Sequence, residues 1–138
     1  MTIRVVFDTN VLLSSLFSQT GPPFRCLVLV RTAAVVSITC QEILDEYVEK
    51  LVEKFDFDIG RATQAAQEVK AISEFVSVTG SLRAVDADPD DDAVVECALL
   101  GGAAYIITGD RHLINLEQYA DIEIVRPARF VAMVDSPT

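Results

Sequence analysis

The chain predicts an α/β fold: a three-layer α/β/α sandwich around a central, mainly parallel sheet. Three observations carry this. Short apolar, β-branched runs alternate with helix-period segments along the whole sequence. The runs IRVVF (3–7), AVVSIT (34–39) and AYIIT (104–108) hold few polar residues, as expected for strands covered on both faces. The stretches between them carry helix signals, so they serve as crossover connections between parallel strands. At 138 residues, 51% hydrophobic and 23% charged, the chain fits one globular domain, 1–138, large enough to bury a real core.

The elements follow in order. IRVVF is the first strand, interrupted only by Arg4. Thr9 or Asn10 is placed to cap a short helix, VLLSSLF, which Gly-Pro-Pro at 21–23 breaks before FRCLVLVRTA resumes as helix. AVVSIT is the second strand. EILDEYVEKLVEKF (42–55) is a helix, because Ile43, Leu44, Tyr47, Val48, Leu51, Val52 and Phe55 form one apolar stripe. RATQAAQEVKAISEF (61–75) is a further helix, with FVSV (75–78) a short extended piece after it. The longest loop is expected from Thr79 to Asp88. DPDDDAVVECALL (88–100) is a helix ended by Gly101-Gly102. AYIIT is the third buried strand, HLINLEQY a short helix, IEIV (122–125) a strand, and Pro127 opens a last helix.

Bulk properties narrow the function. The net charge of −10 argues against nonspecific wrapping of nucleic acid, which needs a basic surface. It leaves room for an enzyme that meets phosphate through cations held by its own carboxylates. Only His112 could serve a Ser-His-Asp mechanism, and no GxSxG accompanies it; a histidine after a strand is expected to be structural. Cys26, Cys40 and Cys97 are odd in number and widely spaced, so they read as free buried thiols. No apolar stretch is long enough for a membrane span, and the N-terminus lacks the pattern of a signal peptide. The protein is therefore expected in the cytoplasm.

The carboxylates carry the chemistry. Asp8 and Asp110 each follow a buried strand, and in open parallel sheets ligands bind outside the carboxyl ends of the strands. Carboxylates brought together there repel, and a divalent cation relieves the repulsion. On the helix 42–55, Glu42, Glu46, Glu49 and Glu53 share the face opposite the apolar stripe. A solvated face accounts for most of them, and helical geometry alone does not single out Glu46. In DADPDDD (86–92), Asp88 is a good N-cap, Pro89 suits the first helical position, and Asp90 and Asp91 suit a first turn. Asp92 is left over. It lies at the edge of the apolar stripe with the like-charged Glu96 one turn on, and it is the expected metal-facing member.

VVFDTNVLLSSLF, CQEILDEYVEKL, DPDDDAVVECALLGGAAYIITGD and IEIVRPARF together resemble the PIN-domain nucleases, most of all the branch of bacterial toxin–antitoxin toxins. The resemblance runs over nearly the whole chain. It implies a quartet of acidic residues that maps onto Asp8, Glu46, Asp92 and Asp110. Cys40 stands where the family has serine, so Glu42 and Asp45 stay open as alternatives to Glu46, as do Asp88 and Asp90 to Asp92. It implies that Thr9, Asn10 and Thr108 are small polar residues supporting the site. It also implies Mg²⁺- or Mn²⁺-dependent hydrolysis of RNA phosphodiesters, an antitoxin protein partner and a homodimer. Arg111, beside Asp110, is a candidate contact to substrate phosphate. Two other readings compete. A haloacid-dehalogenase-like phosphatase also begins with a strand running into Asp, but its Asp-x-Asp motif meets Asn10 here. A catalytically inactive PIN fold serving as an interaction module is weighed against by the presence of all four acids.

Overall fold

The computed structural model describes residues 2–85 and 89–135. Strands are β1 (Ile3–Phe7), β2 (Val35–Thr39), β3 (Ser73–Phe75), β4 (Tyr105–Ile107), β5 (Gln118–Tyr119) and β6 (Ile122–Val125). Helices are α1 (Thr9–Phe17), α2 (Pro22–Arg31), α3 (Gln41–Phe55), α4 (Ile59–Ala71), α5 (Pro89–Leu100), α6 (Arg111–Leu116) and α7 (Pro127–Asp135). The sheet order is β3-β2-β1-β4-β6-β5. All pairs are parallel except β5 with β6. This is the mixed, mostly parallel α/β/α sandwich that the alternation predicts.

The chain leaves β1 toward β2 and β3, then returns past β1 to β4 and moves outward the other way. Right-handed crossovers therefore put α5 on the face opposite the connections β1–β2 and β2–β3. Helix α5 packs across β1, β2 and β4, while α2 packs on β2 and α7. Val5, Val6, Phe7, Ile38, Ile106 and Ile107 form the buried middle of the sheet. The direction of winding reverses between β1 and β4, so the carboxyl ends of these two strands flank the topological switch point, where open α/β sheets place ligands.

Several boundaries differ from the sequence reading. The helix expected over 61–75 runs from Ile59 to Ala71, and residues 73–75 form a strand in place of the extended piece at 75–78. Ser73 pairs with Ser37 in the parallel register, and their hydroxyls lie 2.9 Å apart. Pairing with β2 overrides the helical propensity of the segment. Asp58 sets the start of α4, its carboxylate accepting the Arg61 amide at 2.8 Å. The expected helix HLINLEQY ends at Leu116, and Gln118–Tyr119 pair with β6 instead. Phe55 is not part of the buried stripe of α3; it is 43% exposed and stacks on Phe17 at 4.4 Å between ring centroids. Cys26, Cys40 and Cys97 are buried and unbridged.

Arg4, the one break in the first apolar strand, is explained by its partners. Its guanidinium donates to both carboxylate oxygens of Glu74 and, through Nε and Nη2, to the carbonyl of Gly101. Gly101 stands where α5 must pass close over the sheet. A Cβ there would lie 2.5 Å from Ile38 Cγ2 and 3.1 Å from the Cys97 carbonyl. Gly101→Ala should therefore destabilise the fold by about 1–3 kcal/mol, the usual cost of overpacking a tight core. A urea midpoint equal to that of the unaltered protein would refute this contact.

Candidate functional site

Asp8 follows β1 directly and caps α1, so the cap is Asp8 and not Thr9 or Asn10 as the sequence suggests. Its Oδ1 accepts the Thr9 amide at 2.8 Å. Its Oδ2 accepts the Thr108 hydroxyl at 2.8 Å, across the switch point. The Thr108 Oγ1 in turn accepts the Asp110 amide at 2.9 Å. One hydroxyl thus ties the two strand-end aspartates together. The Asp8 amide donates to the Ile107 carbonyl at 3.0 Å, so the β1–β4 ladder continues up to the site. Asp110 caps α6, its Oδ1 accepting the amides of His112 and Leu113 at 2.8 and 3.2 Å. Both aspartates are therefore helix caps that also sit at the switch point, and the two roles are compatible because a carboxylate has more acceptor positions than a cap uses.

Asp8 is only 4% exposed. Burial pushes its carboxyl above the ordinary carboxylate range. The Thr108 hydroxyl and Thr9 amide offset part of this, while the charges of Glu46 and Asp110 add to it. Glu46, on α3, is thus within electrostatic reach of both Asp8 and the edge that Asp110 occupies. Of the alternatives on that helix, Asp45 accepts Gln41 Nε2 at 2.8 Å and lines a groove between α3 and α4. Glu42 lies with Glu46 on a separate cleft of about 280 Å³, which also takes in Asp90, Asp92, Glu96 and the loop residues Gly80, Leu82 and Arg83. Helices α3 and α5 meet at this edge.

Asp92 is buried in the first turn of α5 and faces that cleft. Its Oδ1 accepts the amides of Ala84 and Val85 at 2.7 and 2.6 Å. Glu96 accepts the Thr79 amide and hydroxyl through Oε2 and the Gly80 amide through Oε1. Helical spacing alone makes Asp92 and Glu96 like charges that repel. The structure instead gives each its own set of donors from the loop after β3. The Thr79 amide is the main cause holding the Glu96 carboxyl below its usual range. Desolvation opposes it, and the Thr79 hydroxyl and the amides of Gly80 and Leu82 assist it. Asp90 is exposed on the same turn, Asp91 is buried, and Asp88 lies outside the described residues.

The supporting residues divide. Thr108 and Thr9 are fully buried, and the Thr9 Oγ1 has no hydrogen-bond partner among the described residues. Asn10 is exposed and its Oδ1 accepts Lys50 Nζ at 3.0 Å. Arg111 and His112 are exposed at the start of α6, beside Asp110. Lys50 is a residue that the sequence leaves among the scattered basic groups. Its Nζ lies 2.8 Å from Glu46 Oε1, with both side chains 22% exposed. Burial lowers its pKa, but the bond to Glu46 and the charges of Glu46, Asp8 and Asp90 prevail and raise it. A signal for it exists along the chain: Glu46 and Lys50 form a Glu→Lys pair at i,i+4.

The donors at this edge are oxygens of carboxylates and hydroxyls, the chemistry that suits Mg²⁺ or Mn²⁺. The upward push on Asp8 is of the kind that a nearby cation relieves. Among the described residues, no three carboxylate, imidazole or thiol groups are gathered tightly enough to hold a metal ion as they stand. The Lys50 ammonium lies among the carboxylates. Among the described residues, no helix is long and apolar enough to cross a membrane.

Comparison with known proteins places the chain among relatives at the level of sequence and of fold. Residues 4–112 match the family model of a PIN domain. An uncharacterized protein of Methanocaldococcus jannaschii is 33% identical over 118 residues, covering 83% of this chain and 75% of the relative. The fold is similar to that of a chain in the crystal structure of VapBC2 from Rickettsia felis bound to a DNA fragment from their promoter. That match has a TM-score of 0.64 at 10% identity and covers 90% of this chain and 98% of the other.

Proposed function

Because this chain belongs to the PIN domain family, we propose that it is a metal-dependent ribonuclease, and the toxin of a toxin–antitoxin pair. One observation supports the reading above the rest. The Asp8 carboxylate and the Asp110 backbone amide, 102 positions apart, meet on the Thr108 hydroxyl at the switch point, and the charges of Asp110 and Glu46 both act on Asp8. Capping alone requires neither the shared hydroxyl nor the third charge.

In this reading Asp8, Glu46, Asp92 and Asp110 hold Mg²⁺ or Mn²⁺. When bound, the cation supplies activation of a water and relief of charge on the phosphate. The chain's own groups do the rest. Thr108 fixes the Asp8 carboxylate through Oδ2, and the Thr9 amide fixes it through Oδ1, so Asp8 enters the reaction already oriented. Asp110 is held by the two α6 amides. Asp92 is anchored by the loop amides of Ala84 and Val85. Arg111, exposed beside Asp110, meets the RNA phosphate as a cation. Without bound cations, a chain of net charge −10 repels RNA, so binding as well as chemistry depends on the metal.

The fold similarity to a chain of VapBC2 is in keeping with an antitoxin protein as partner, and a homodimer as the assembled form rests on the resemblance to toxin members alone. The three unbridged thiols fit action in a reducing cytoplasm.

The purified protein should cleave RNA in Mn²⁺ or Mg²⁺ and stop on addition of EDTA. Mn²⁺ should also raise its melting temperature, since a ligand that binds only the folded state stabilises it by mass action. Cleavage that survives chelation would sink the metal mechanism. Absence of cleavage on total RNA together with absence of any Mn²⁺ shift would favour an inactive interaction module.

A further inference from the structure

We propose that Lys50 is the internal counter-cation of the acidic site and that a divalent metal must displace its ammonium from Glu46 in order to bind; this rests on the nuclease reading above. Lys50 Nζ stands 2.8 Å from Glu46 Oε1 and 3.0 Å from Asn10 Oδ1. These two partners come from the helix and the strand-end motif that the site joins. An ordinary i,i+4 pair on a solvated face would not reach a third residue on another helix, 40 positions away in sequence. The pair here is mostly shielded, with each side chain 22% exposed.

The physics follows from placement. Asp8, Glu46, Asp90 and Asp110 bring formal negative charges toward one edge of the sheet. Lys50 neutralises one of them at contact distance. An incoming Mn²⁺ gains the carboxylates, but it must break the Glu46–Lys50 pair and then stand near a positive charge. Even with strong screening, a unit charge a few ångströms from a divalent ion changes binding by roughly a factor of ten or more. Lys50 therefore weakens metal affinity while holding Glu46 in place when no metal is bound. It is a positioning residue, and the displaced ammonium keeps Asn10 Oδ1 as its acceptor.

The test is calorimetric titration of the intact protein with MnCl₂, without RNA, on the unaltered protein and four variants. Lys50→Met should bind Mn²⁺ at least about tenfold more tightly than the unaltered protein. Lys50→Arg, which keeps the charge, should bind within about threefold of it. Lys50→Gln keeps a donor to Glu46 without charge, so it covers the case in which Lys50→Met fails to fold, and it should follow Lys50→Met. Asp8→Asn reports whether the titrated site is the acidic edge, because its binding should weaken. If Lys50→Met and Lys50→Gln bind Mn²⁺ no more tightly than the unaltered protein while Asp8→Asn weakens binding, the role of Lys50 is wrong and the metal site stands. If none of the proteins binds Mn²⁺, both readings fall.

Discussion

Asp8→Asn should lower the rate of Mn²⁺-dependent RNA cleavage by at least about a hundredfold, the scale on which removal of one charge-stabilising group acts. Asn keeps one oxygen for the Thr9 amide, and its NH2 then donates to the Thr108 hydroxyl oxygen, which can accept it, so the fold should survive. The same variant makes an opposite prediction about stability. Burial first, and the neighbouring charges of Glu46 and Asp110 second, raise the Asp8 carboxyl above its ordinary range in the folded protein. The folded state then binds that proton more tightly than the unfolded chain does, and stability falls as pH rises through this window. The cost is absent below the ordinary carboxylate range and complete above the raised value. In EDTA, Asp8→Asn should therefore equal the unaltered protein in acid and exceed it at neutral pH. Urea melts across that range, paired with initial rates in Mn²⁺, check both halves. A variant that cleaves at the original rate removes Asp8 from the site. One that is less stable at neutral pH contradicts the cause assigned to its shift.

Asp92→Ala should cost about 2–4 kcal/mol, because two loop amides lose a charged acceptor and Val85 is buried. Glu96→Ala should cost a comparable amount, since Thr79 and Gly80 lose theirs. Helical spacing alone has the removal of Asp92 relieving repulsion; the loop bonds reverse that expectation for alanine. Asp92→Asn separates structure from chemistry. It keeps an acceptor oxygen for Ala84 and Val85 while losing the charge, so it should stay close to the original stability and lose cleavage. Retained cleavage in Asp92→Asn would pass the third acid to another position of the DPDDD segment. The Glu96 carboxyl, held below its usual range, contributes stability above the ordinary carboxylate range that is lost as pH falls through its depressed value. Glu96→Gln should accordingly narrow the gap to the unaltered protein in acid. Denaturant melts at two pH values read this directly.

Much of the fold is legible in the sequence, for a physical reason. Period and composition report which face of a segment is buried, and burial sets the elements. IRVVF, AVVSIT and AYIIT match β1, β2 and β4 within a residue or two, and the apolar stripe Ile43, Leu44, Tyr47 and Leu51 is buried as its spacing implies. Asp8 and Asp110 reach one edge of the sheet because each follows a strand and parallel strands share a carboxyl edge. The segment 73–75 is not legible in this way, because its strand state depends on pairing with β2, which local propensity does not register.

The sequence by itself determined the sandwich, the parallel sheet and the acids at its carboxyl edge, because all three follow from local periodicity and chain connectivity. Only the tertiary structure decided which partners each carboxylate takes. Thr108, 100 positions along the chain from Asp8, joins it to the Asp110 amide. Asp92 and Glu96 hold the loop at 79–85, and Lys50 reaches past Glu46 to Asn10. A charged group takes its partners from whatever the fold brings within about 3 Å, and that neighbourhood is made by non-local packing, which no pattern along the chain encodes.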